Sequence, residues 1–276
     1  MTHRDPGPTP PDGDAVYVFA VRPREPSEAG SPPGAAGIPG GGRVRLLPLG
    51  ELAAVVQTVP AADFTEEAWQ ARLADREQLE RYARAHHRVV SAAAEEGPVV
   101  PLPLATLYHG ESRARAALTA ESGRFRAALE RTADHAEWGV KVYATRPATA
   151  VTGRSAPAAV RPAERAGPPP PGAGLAYLER RRAVRARREE HQDEALRVAE
   201  AVYTEFGKMA AASRRLRAHT PGPAGDRRTQ VLNATYLVRT DRAVDLAPLA
   251  RALGERTGAR IELSGPWVPY SFVGEV

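Results

Sequence analysis

Two adjacent histidines, His86 and His87, sit within a helical pattern, and imidazoles are common metal ligands and proton carriers near neutral pH. Neighbouring helical residues point about 100° apart, so the two cannot grip one metal as an i, i+4 pair would. They read as surface or half-buried histidines. Paired carboxylates occur at Glu66–Glu67, Glu95–Glu96 and Glu189–Glu190, but only in sequence. The first pair suits the positive start of a helix and the last a solvated helical face. GIPGGG, residues 37–42, has the glycine content of a phosphate-cradling loop. It lacks the G-x-G-x-x-G spacing and the Lys-Ser/Thr of a P-loop, and reads as a flexible connection. No G-x-S-x-G offers a nucleophile elbow. Without cysteine there is no thiolate ligand, disulfide or Cys nucleophile, which fits a reducing cytoplasm. No catalytic constellation holds among these residues, and no cofactor or metal site is expected; an enzyme site assembled from scattered residues stays open at this point.

The strongest charged feature is an arginine run: Arg180, Arg181, Arg182, Arg185, Arg187 and Arg188. Such a stripe can bind phosphates. Here Glu179, Glu189, Glu190, Asp193 and Glu194 interleave or adjoin it and cut its potential. The net charge is +5, and nearly all the basic charge is arginine, since the only lysines are Lys141 and Lys208. Abundant Ala, Arg, Gly and Pro match a GC-rich genome, which weakens a functional reading of arginine. No aromatic RNP signature accompanies the strands. The run reads as a solvated or intramolecular face first and a protein-partner surface second. A basic nucleic-acid-binding or regulatory module is the alternative.

The elements that must position these residues span 276 residues, enough for about two domains. No apolar run of about 18 residues predicts a membrane span. The first residues lack the apolar core of a secretory signal. Pro/Gly-rich stretches mark a tail (1–13), a loop (23–42) and a linker (147–173, containing GPPPPG). The linker divides an N-terminal domain, 14–146, from a C-terminal domain, 174–276.

In the first domain AVYVFAVR (15–22), RVRLLPL (43–49) and ELAAVVQTV (51–59) predict strands, the last two joined by a tight turn at Leu49–Gly50. A helix capped by Asp63 or Thr65 is expected to run to Glu96, where Gly97–Pro98 stops it. VVPLPLATLY (99–108) predicts an edge strand, because Pro101 and Pro103 cannot donate to a central ladder. A second helix over 111–136 and a strand over 138–145 complete the block. This order predicts a ferredoxin-like α+β sandwich with helices on one face of a mainly antiparallel sheet. The second domain is also α+β. A long helix from 175 to 219 has a charged first half that projects or pairs with something else. Its second half is amphipathic through Leu196, Ala199, Val202, Tyr203, Phe206, Met209, Ala210, Ser213 and Leu216. Strands over 229–240 and from 259 flank a short helix that Asp245 precedes and Gly258 ends.

The chain closes on SGPWVPYSF, Ser264–Phe272, in which Pro266 and Pro269 fix φ and hold Trp267, Tyr270 and Phe272 extended. Such aromatics can zip the C-terminus onto the protein's own core as an edge strand, or anchor a partner. The first use is favoured, since exposed aromatic clusters invite aggregation. Both hold if Trp267 packs inside while Tyr270 faces outward.

Taken in order, YVFAV, ELAAVVQTVP, HHRVV, VVPLPLATLY, EWGVKVY, GLAYLERRR, NATYLV and GPWVPYSFV resemble gas vesicle proteins of the L/F type, over residues 14–273. GPWxPYSF is the most specific piece. Where that family has PLR, this chain has Pro103 in place of the arginine. The resemblance implies a non-enzymatic accessory or minor structural protein of gas vesicle assembly, cytoplasmic and located at the gas vesicle. Its implied partners are the small hydrophobic shell protein, whose nucleation or formation into a shell it assists, and other gas vesicle accessory proteins. Nucleic acid and membrane are not expected partners. It further implies interaction or structural roles for Tyr177, Leu178, Arg181 and Arg182, and for Gly265, Pro266, Trp267, Pro269, Tyr270, Ser271 and Phe272.

Overall fold

The computed structural model describes residues 13–24, 35–145, 173–217 and 228–274. But for Gly13 and Ala173, the expected tail and linker lie outside the described residues. The architecture is α+β with two sheets. The described residues fall into two compact units. The first holds those of Met1–Glu137, Leu237–Thr240 and Gly265–Val276; the second holds those of Trp138–Tyr236 and Asp241–Ser264.

The sheet of the first unit is ordered β2-β3-β1-β4, built from β1 (Asp14–Pro23), β2 (Val44–Leu49), β3 (Leu52–Pro60) and β4 (Val100–Pro101). β5 (Leu107–His109) also pairs with β1, and the pairings are antiparallel. Gly50, at φ 74°, takes the first place of the two-residue loop between Leu49 and Leu52, where a type II′ hairpin calls for glycine. The proline-bearing segment 99–108 does lie beside β1 as two short strands. Between them, Leu102 N–H donates to Phe19 O and Val18 N–H to Thr106 O.

Helices cover both faces of this sheet, not one. Val16, Val18, Val21, Leu47, Ala54 and Val56 pack under α3 (Glu111–Ala120) and α4 (Ser122–Thr132) through Leu118, Phe125 and Leu129. Tyr17, Phe19, Ala20, Val55 and Val59 pack under α2 (Arg76–Glu95) through Tyr82, Ala85, Val89 and Ala93. The unbroken apolar run of β1 is the cause, because a strand that alternates with water on one face would carry polar residues at every second position. A register shift between Val18 and Ala20 changes which face the later residues address, so Ala20 joins the α2 side and Val21 the other.

The two long helices expected here are each broken. Asp75 leaves helical geometry and its carboxylate accepts the N–H groups of Glu77 and Gln78, capping α2 and ending α1 (Glu66–Ala74). The second breaks at Glu121 and stops at Thr132, before β6 (His135–Thr145). β6 was expected to close the first sheet; it pairs instead in the second, ordered β7-β8-β6-β9. The unit boundary therefore falls at 137/138, not 146, and residues 265–274 belong with the first unit.

GIPGGG is not a flexible connection. It wraps the amide of Gln57, a β3 side chain 1% exposed. Gln57 Oε1 accepts from Ile38 N–H (2.8 Å), and Nε2 donates to Ile38 O (3.1 Å) and Gly42 O (2.8 Å). A Cβ on Gly37 or Gly41 would stand 2.4 or 2.3 Å from that amide, which is why the loop is glycine-rich. Gln57→Leu is expected to cost about 2 kcal/mol, by orphaning these loop groups. Faster hydrogen exchange at Ile38 N–H would accompany the loss, and an unchanged exchange rate would refute it.

In the second unit, α5 (Ala173–Gly207) packs only over its C-terminal part, where Val198, Ala199, Val202 and Phe206 are buried. The described side chains from Leu178 to Glu194 are all exposed, so the charged half projects. α5 ends at Gly207, not 219, and Ala212–Arg215 form β7 against β8 (Arg228–Arg239). Glycine is a poor helix former, and pairing with β8 supplies the backbone hydrogen bonds the helix gives up. Leu196 and Leu216, expected on the apolar face, are exposed. The core is completed by Tyr236 of β8, whose ring meets Phe206 and Tyr203, by Val140 and Val142 of β6, and by Leu246 and Leu253 of α6 (Leu246–Thr257). Gly258 ends α6 at φ 68°, and β9 (Arg260–Trp267) follows.

Candidate functional site

The C-terminal motif is built into the first unit. After the cis Gly265–Pro266 bond and Trp267, Pro269 is buried and Tyr270–Phe272 make one 3-10 turn. Val273 enters the core beneath α3 and α4. Two charged side chains clamp the turn. Glu137, at the start of β6, accepts from Ser271 N–H (2.9 Å) and from the Ser271 hydroxyl (2.6 Å). Arg131, in the last turn of α4, donates from Nε and Nη2 to Phe272 O (3.2 and 2.7 Å).

Both histidines of α2 meet this segment. The Tyr270 ring lies 6.3 Å from each imidazole, and Trp267 lies 5.9 Å from His87. His86 is buried, not a surface histidine, while His87 is half-buried. The Tyr17 hydroxyl accepts from Ala105 N–H (3.0 Å), which directs its own proton to His86 Nδ1 (2.9 Å). Neutral His86 therefore carries its proton on Nε2. Burial holds the imidazole pKa down at about 4. Burial also pushes the Tyr17 phenol up to about 12 and raises that of Tyr270.

Between α2, the segment after α4 and the motif lies a cleft of about 660 Å³. His87, Ser91 and Glu95 line one side, Asp134 and His135 another, and Pro266–Pro269 a third. Trp267 is 50% exposed on its rim. The arrangement can bind an apolar segment. Neither His86 nitrogen is offered to this cleft as a ligand, and no cluster of three or more His, Cys, Asp or Glu suited to a metal occurs among the described residues.

The motif packs onto its own unit, but as a 3-10 turn at Tyr270–Phe272 rather than the extended edge strand expected, and Trp267 does not pack inside as expected. Trp267 stands half out, while Tyr270, 37% exposed, lays its ring against the histidines. Tyr177, Leu178, Arg181 and Arg182 belong to the other unit. Leu178, Arg181 and Arg182 are exposed on α5; the side chain of Tyr177 lies outside the described residues. Intrahelical pairs such as Arg185–Glu189 and Arg197–Glu194 bring acid and base together along that helix. Sequence reasoning missed Arg131, Glu137 and His86 as the motif's supports. Glu137 falls within EWGVKV, but no spacing links it to Ser271, 134 residues later.

A family model described as gas vesicle synthesis protein GvpL/GvpF matches residues 15–274. Gas vesicle protein L of Streptomyces sp. (strain CB03234) is 40% identical over 259 residues, covering 94% of this chain and 92% of that protein. The crystal structure of gas vesicle protein GvpF from Anabaena sp. PCC7120 is similar with a TM-score of 0.59 at 12% identity, covering 96% of this chain and 98% of that one. GvpF from Microcystis aeruginosa gives 0.58 at 12% identity, covering 95% and 99%. At that identity the two structures establish a shared fold.

Proposed function

Because the chain belongs to the GvpL/GvpF family of gas vesicle synthesis proteins, we propose that it is a non-catalytic accessory factor that captures the small hydrophobic shell protein while the shell nucleates or grows. The observation that carries this is Trp267, 50% exposed over an apolar cleft in an otherwise locked segment. A half-exposed indole on a rigid support is a typical anchor for a partner, since little conformational freedom is lost on binding. The apolar residues of α5 from 195 onward are a poorer site. Val198, Ala199, Val202 and Phe206 are already consumed by their own unit. An apolar shell subunit needs a partner that shields a greasy segment while keeping a charged exterior, and the cleft with its flanking His87, Glu95 and Asp134 has that character.

Co-purification with the shell protein tests this. Trp267→Ala is expected to lower recovery about tenfold, the scale of a single aromatic anchor, with little change in melting temperature. Full recovery by a folded Trp267→Ala chain would remove the cleft from the account.

A further inference from the structure

We propose that the projecting part of α5, residues 178–196, docks antiparallel against the same segment of a second copy of this chain. Leu178 and Leu196 are 51% and 59% exposed. They are 18 residues apart, about five helical turns, so they lie on one line of the helix. Arg181, Arg185, Glu189 and Asp193 follow at steps of four along the same stripe, all exposed. About residue 187 the stripe reads leucine, two arginines, two acids, leucine.

That pattern is self-complementary in one orientation only. An antiparallel copy places Leu178 over Leu196 and Arg185 opposite Glu189, and because residues on the same flank meet in such a pair, Arg182 stands opposite Asp193; two-fold symmetry repeats each contact. On the other flank Arg181 faces Gln192. A parallel copy would set arginine against arginine and acid against acid. Within one chain Arg185 already reaches Glu189 (3.1 Å), while Arg182 and Asp193 have no ion pair among the described residues, so the pairing engages charges the fold leaves open. A docked copy also explains why two leucines sit on a helix face that no described element covers. The contact is small and rich in exposed ion pairs, so it is weak and salt-sensitive.

The chain lacks cysteine, which permits a clean cross-linking test. Leu178→Cys and Leu196→Cys chains, mixed and oxidised at low salt, are expected to link to each other far more than to themselves. Like positions stand about 27 Å apart along the axis in the antiparallel pair. Equal self-linking by Leu178→Cys chains, or no linking in the mixture, would overturn the proposal. Sedimentation supplies a second measure. Arg182→Glu with Arg185→Glu, and separately Glu189→Arg with Asp193→Arg, should each weaken self-association about tenfold. Mixing the two variants should restore it, since their acidic and basic residues match. Wild-type association by either variant alone, or no restoration on mixing, would count against the seam.

Discussion

A chain ending at Ser264 is expected to lose about 4 kcal/mol of stability in its first compact unit. The missing residues include Val273, 8% exposed in the core beneath α3 and α4. Burying its side chain is worth about 2 kcal/mol. Glu137, 9% exposed in the intact fold, would lose both Ser271 donors. Losing two hydrogen bonds to a carboxylate costs about 2 kcal/mol more. Arg131 would also lose the Phe272 carbonyl, and His86 and His87 the Tyr270 ring. Denaturant unfolding of the shortened chain measures the total, and Val273→Ala alone should account for about half. If the shortened chain unfolds at the wild-type midpoint, the motif is no lock, and its role lies wholly in partner contact.

Acid should weaken the same unit through His86. The folded imidazole has its pKa lowered to about 4 by burial, whereas an unfolded histidine titrates near about 6.5. Between those values the unfolded chain binds the proton and the folded chain does not. Stability therefore falls as pH drops through this window, by about 3 kcal/mol in all, and is steady above it as far as this group is concerned. The groups around the imidazole reinforce the direction. Tyr17, Phe19 and Tyr270 are neutral aromatics, Tyr17 donates to Nδ1, and His87 repels a second positive charge. Carboxylates elsewhere titrate in the lower part of the range, so the informative quantity is the difference between wild type and His86→Gln, which keeps an acceptor for Tyr17 but does not ionise. That difference should slope by about one proton between pH 6 and 4.5. A flat difference would mean that the imidazole is solvated.

Much of this protein was legible before folding was considered. The β1 run, the Leu49–Gly50 hairpin, the Pro-marked edge strands, the Gly258 stop and the projection of the charged half of α5 follow from local periodicity, turn chemistry and charge. Family membership was legible too, through the order of short motifs ending in GPWVPYSF. Helix breaks were less so. Asp75 carries a capping side chain, but nothing nearby distinguishes it from the other acids of a helical surface. The continuous apolar character of β1 did contain the two-faced burial of its sheet, and the α-β alternation of the block masked it.

Local sequence determined which segments are strands and helices and where turns fall. These depend on interactions within a few residues, and such interactions leave periodic traces. Which sheet takes β6, which amide the GIPGGG loop grips, and which residues hold the terminal motif were decided only in three dimensions. Gln57, Glu137, Arg131 and His86 act across 19, 134, 141 and 184 residues of chain respectively, the last toward Tyr270. A hydrogen bond or ring contact made over such separations has no period and no fixed spacing, so its partners look like ordinary polar residues until the backbone brings them within about 3 Å for a hydrogen bond.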